Sequence, residues 1–115
     1  MKSLVENDGI FVSAQVMLPL AIMYTNEGDK KNPLAWPYYA TEADLKDMPP
    51  MVISVNESDP LRDEGLEFGK KCAQAGVDVK TKTIKGTCHA GDLFSGPHEI
   101  FATTMSNIKA FTDSL

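Results

Sequence analysis

Apolar positions along this chain change their period at well-marked points. Met51-Val52-Ile53-Ser54-Val55 is an apolar, β-branched run that ends at Asn56-Glu57-Ser58-Asp59-Pro60, the composition of a buried strand meeting a turn. From Leu61 to Ala75 the apolar positions Leu61, Gly65, Phe68, Cys72 and Ala75 advance by four, three, four and three, which puts them on one face of an α-helix. Gly76 follows as its C-cap. A second strand reads from about 78 to 84 and runs into Lys85-Gly86-Thr87-Cys88-His89-Ala90-Gly91, a turn by its glycines. A strand over 51–56, a helix over 61–75 and a strand over 78–84 make a crossover unit, so the two strands are parallel and both end at the same sheet edge.

The flanks are helical or irregular. Ile10 to Tyr24 is strongly apolar and predicts a helix over 11–25, with Ser13 as its cap and Pro19 as a kink or early stop. Met1 to Gly9 is polar and reads as turn. Asn26 to Pro33 has loop composition, and Leu34-Ala35-Trp36-Pro37-Tyr38-Tyr39 is aromatic and broken by proline. Thr41-Glu42-Ala43-Asp44 has the pattern of a capping box and opens one helical turn before Met48-Pro49-Pro50. Ser95, in Phe94-Ser95-Gly96-Pro97, reads as a turn residue. A last helix spans about 98–113, with Phe101, Met105, Ile108 and Phe111 or Leu115 as its apolar stripe. The fold class is α/β, in one domain over 1–115. Two parallel strands do not complete such a sheet, because parallel strands are normally paired on both edges and covered on both faces. A second copy of the chain or another segment is expected to supply the neighbours.

Composition narrows the partners. The net charge is −5 and the basic residues are scattered, which argues against nucleic acid or an anionic membrane as a partner. The apolar run Val16 to Tyr24 is too short to span a bilayer and contains Pro19. Met1-Lys2 is followed by polar residues rather than an apolar core, so no signal peptide is read and a cytoplasmic location is expected. Cys72 and Cys88 give no disulfide framework and read as two reduced thiols.

Candidate chemistry gathers at the sheet edge. Asp59 and His89 follow the two strands at their C-terminal ends, where open α/β sheets carry their functional groups. Asp59 ahead of Pro60 is also an ordinary helix cap, and His89 between glycines is also an ordinary loop histidine. Side by side, an acid and a histidine make two thirds of a hydrolytic triad, His89 as the base and Asp59 as the group that fixes its tautomer. Cys88 as a thiol nucleophile is a weaker reading, since adjacent side chains on an extended backbone point apart. A metal site from Asp59, His89, Asp92 and His98 lacks ligand spacing and is weaker than a solvated loop.

The stretch Asp59-Pro60-Leu61-Arg62-Asp63-Glu64-Gly65, preceded by Pro49-Pro50 and the strand Val52 to Val55 and followed by Ala75-Gly76-Val77 and the His89 turn, resembles the C-terminal part of the α/β-hydrolase fold. It is most similar to the hormone-sensitive-lipase-like carboxylesterases. Asn32-Pro33-Leu34-Ala35-Trp36-Pro37-Tyr38, Asn56-Glu57-Ser58-Asp59 and Gly86-Thr87-Cys88-His89-Ala90-Gly91-Asp92 point to the branch containing brefeldin A esterase. The resemblance implies Asp59 as the triad acid, His89 as the triad base, a carboxylic ester as substrate and no cofactor. In that family a Gly-x-Ser-x-Gly nucleophile elbow and a His-Gly-Gly-Gly oxyanion segment precede the acid, and neither occurs in these 115 residues. The expectation is therefore a partial hydrolase that supplies Asp and His to a site completed by an N-terminal part. The alternative is a non-catalytic module that self-associates or binds a partner.

Overall fold

The computed structural model describes residues 1–94 and 97–115; Ser95 and its turn lie outside the described residues. Strand β1 (Met51–Ser58) and strand β2 (Val79–Cys88) are joined by helix α4 (Arg62–Gln74), and helices α1 (Ser3–Glu6), α2 (Ala14–Tyr24) and α3 (Glu42–Leu45) precede them. Helices α5 (Gly91–Phe94) and α6 (His98–Thr112) follow, and single 3-10 turns lie at Glu27–Asp29 and Pro37–Tyr39. The strands pair in parallel, with Met51 opposite Val79 and Asn56 opposite Ile84.

Helix α4 lies close on the sheet because its inner face carries glycines. A Cβ on Gly65 would stand 2.6 Å from Val55 Cγ1, and one on Gly69 would overlap Thr81 Cγ2. The helix ends in a Schellman motif: Gly76 is left-handed at φ 85°, its N–H donates to the Ala73 carbonyl at 3.1 Å, and Val77 N–H donates to the Cys72 carbonyl at 3.0 Å. The core is small. Ala40, Leu45, Cys72 and Val77 are buried together, with Met51, Phe68, Ala75 and Val79 packed around them. The Thr41–Asp44 capping box forms with both reciprocal bonds and fixes α3 against this core.

Several expectations need correction. Met1 to Gly9 is not simply turn, since Ser3 to Glu6 is helical and Ser3 is fully buried. The polar composition hid this because the segment docks through hydrogen bonds rather than apolar contacts. Helix α2 runs without a break through Pro19, and Ser13 sits at its N-cap without a side-chain bond. Asp8 Oδ1 accepts the Ala14 N–H instead, at 2.7 Å. Pro60 is not the first helical residue: α4 starts at Arg62, after a turn at Pro60 and Leu61. On α6 the face turned inward carries Ile100, Thr104, Asn107 and Phe111, while Phe101, Met105 and Ile108 are exposed. Thr104 is the buried residue because its hydroxyl donates to Asp92 Oδ2 at 3.1 Å.

Strand β2 also extends beyond position 84. Ser58 pairs with Cys88, so β1 advances two residues beyond the Asn56–Ile84 pair while β2 advances four. The surplus is absorbed in a bulge at Gly86, which takes a left-handed φ of 70° and donates its N–H to Glu57 Oε2 at 2.9 Å. The buried Thr87 hydroxyl lies 2.5 Å from Asn56 Oδ1 and 2.8 Å from the Ile84 carbonyl. The glycine read as a turn signal is a bulge inside the strand.

Candidate active site

The bulge carries β2 far enough for His89, the first residue past the strand, to meet Asp59, the first residue past β1. His89 Nδ1 lies 2.9 Å from Asp59 Oδ2. The Asp59 side chain is about one-tenth exposed, whereas that of His89 is 40% exposed, so the acid is enclosed and the imidazole reaches the surface. Ala90 takes a left-handed φ of 55°, a conformation that few residues with a Cβ adopt. Its carbonyl then accepts the N–H groups of Leu93 and Phe94, which closes α5 just behind the histidine.

Asp59 is not the cap of α4, whose N-cap position is Leu61, but its two oxygens have separate partners. Oδ1 accepts the Leu61 N–H at 2.9 Å, and the Asp59 carbonyl accepts the Arg62 N–H at 3.1 Å. Asp59 therefore holds the turn that leads into α4 with one oxygen and engages the histidine with the other. A hollow of about 350 Å³ opens beside it, lined by Tyr38, Ile53, Val55, Leu61, Phe68 and Asp59 among others.

The acid turn is held from behind by residues that sequence patterning did not single out. Asn7 is buried, and its Nδ2 donates to the Asp59 carbonyl at 3.1 Å and to the Glu57 carbonyl at 3.4 Å. Ser3 Oγ donates to the Pro60 carbonyl at 2.8 Å, and Ser3 N–H donates to Asp63 Oδ2 at 2.8 Å. Arg62 Nη1 donates to the Glu57 carbonyl at 2.9 Å, and the same guanidinium pairs with Glu6. The Ser3 amide, with Arg62 adding to it, lowers the Asp63 carboxyl below its usual range. Pairing with Glu6 raises Arg62 further.

The remaining candidates part company. Asp92 is buried and takes the Thr104 hydroxyl, which ties α5 to α6. His98 opens α6 and is exposed. Among the described residues no three His, Cys, Asp or Glu side chains gather as metal ligands. Cys88 is half-buried at the end of β2, and Cys72 is fully buried, where desolvation raises its thiol pKa. Among the described residues, no helix is long and apolar enough to cross a membrane.

A parallel sheet with an acid and a histidine paired at its C-terminal edge is the arrangement of an α/β-hydrolase, and the model of the alpha/beta hydrolase fold family matches residues 2–92. The chain belongs to that family. Within it, the chain is similar to the C-terminal part of hormone-sensitive-lipase-like esterases. It superposes with a TM-score of 0.88 on brefeldin A esterase, a bacterial homologue of human hormone-sensitive lipase, at 40% identity over 95% of this chain and 31% of that one. Esterase Est22 matches with a TM-score of 0.70 and 37% identity, over 96% of this chain and 31% of that one. Esterase LipI of Mycobacterium tuberculosis is 33% identical over 95 residues, 82% of this chain and 30% of the relative. The chain thus spans about 30% of the length of these relatives.

Proposed function

We propose that this chain carries the base and acid of a Ser-His-Asp triad that hydrolyses carboxylic esters, with the serine and the oxyanion donors supplied by residues outside these 115. The observation that carries the reading is the 2.9 Å contact between His89 Nδ1 and Asp59 Oδ2 at the ends of adjacent parallel strands. With Nδ1 committed to the acid, Nε2 is the nitrogen that takes the serine proton and later hands it to the leaving alcohol. Asp59 fixes that tautomer and stabilises the imidazolium as it forms. The exposed imidazole and the enclosed carboxylate suit these two roles.

The test is hydrolysis of p-nitrophenyl acetate by the chain alone and by the chain joined behind the complementary N-terminal portion of its 40%-identical relative. The chain alone is expected to stay at background. The joined protein is expected to turn over, and to lose about 10⁶ in kcat with His89→Ala and about 10⁴ with Asp59→Asn. Turnover that survives His89→Ala would overturn the assignment. A second reading, a module that associates without catalysis, is favoured by helix α2, which is apolar yet buries none of its residues. In that case the joined protein stays inactive while the chain alone forms discrete oligomers.

A further inference from the structure

We infer that Ser3 and Asn7 are positioning residues for the acid: helix α1 is a latch whose hydrogen bonds fix the backbone of the Asp59 turn and thereby aim Oδ2 at His89. This rests on the reading of Asp59 and His89 as an acid–base pair. Three carbonyls of the turn, those of Glu57, Asp59 and Pro60, are each met by a side-chain donor from the first seven residues. Both donors are buried, Ser3 completely and Asn7 with 7% of its surface exposed. Such groups are costly to leave unpaired. The Pro60 carbonyl takes the Ser3 hydroxyl, while those of Asp59 and Glu57 are shared between Asn7 and Arg62, so losing a donor loosens the turn and carries the acid with it. The return bond from Asp63 N–H to Ser3 Oγ, at 3.2 Å, ties the latch to α4 as well. None of these residues touches His89, so their effect on it passes through Asp59.

The measurement is NMR of the full chain with 15N-labelled histidine, read at the Nδ1 proton that His89 shares with Asp59. His98→Gln assigns the signal, because the chain has two histidines. Asp59→Asn is expected to abolish the protected proton. Asn7→Asp keeps the side chain's shape without its donor, and Ser3→Ala removes a single oxygen. Each is expected to speed solvent exchange of the His89 proton at least about fivefold, the worth of one of the two hydrogen bonds each side chain makes, while amide exchange in α6 stays as in the parent. If one variant does not fold, the other carries the test. A His89 proton unchanged in the folded variants, but lost in Asp59→Asn, overturns the latch and leaves the acid–base pair standing. A proton unchanged in Asp59→Asn overturns the pair itself.

Discussion

Asp59 divides its two oxygens between the turn into α4 and the histidine. One oxygen takes the Leu61 amide and the other takes the His89 ring, so the acid cannot swing away from the histidine without also giving up the entry to α4. Behind it, Asp63 is held below the usual carboxylate range chiefly by the Ser3 amide. A carboxyl whose folded-state pKa is depressed adds stability that is present above its unfolded value, near 4, and lost as pH falls through the lower folded value. The latch is therefore expected to loosen in acid below about pH 4. The protection of the Ser3 amide relative to its intrinsic exchange rate, followed from pH 6 to pH 3, should fall, and Asp63→Asn should flatten that fall. At this scale Asp59 and His89 are legible from their places after two strands. Ser3 and Asn7 are not, because a buried hydrogen bond to a carbonyl 52 residues away leaves no periodic trace.

At the scale of elements, the contact of α4 with the sheet depends on absent side chains. Gly69→Ala places a methyl group against Thr81 Cγ2, and overpacking of this kind destabilises by about 1–3 kcal/mol. Urea unfolding should show that loss, and Thr81→Ser in the same chain should recover part of it by removing the opposing methyl. Most of the inner face of α4 is legible, since Gly65, Phe68, Cys72 and Ala75 keep helical spacing, whereas Gly69, buried against Thr81, falls outside that apolar series. The stripe on α6 misleads for the opposite reason. Phe101, Met105 and Ile108 have core-like spacing, but the inward face carries Thr104 and Asn107, whose polar groups find Asp92 on α5 and Lys82 on β2. Strand β2 misleads at Gly86, where one residue type serves turns and bulges alike and only the pairing partner decides between them.

At the scale of the molecule, the radius of gyration is 15.2 Å, against about 13 Å for a compact chain of this length. The excess goes with helix α2, where Val16, Leu18, Leu20, Ile22 and Met23 are all more than half exposed, and with a sheet of two strands among the described residues. We propose that an apolar surface of this extent is a contact surface. On size-exclusion chromatography the chain is expected to elute above its 12.6 kDa mass and to bind a hydrophobic dye. Leu18→Glu with Met23→Glu should shift it toward the monomer and lower the dye signal; a dilute monomer that binds no dye would contradict this. The two-stranded sheet is legible in the sequence, but which helix stays bare is not, because an all-round apolar helix reads the same whether it is covered or not.

The polarity of the sheet has a practical side. Leu115 lines a small hollow with Met51 and Asp78, where the strands begin, and is itself largely solvent-facing. Asp59 and His89 stand where the strands finish. A chain tethered to a bead or electrode through its last residue would hold on by one pole and offer the histidine from the other. A tether at Met1, two residues from Ser3, would tug directly on the acid's own support.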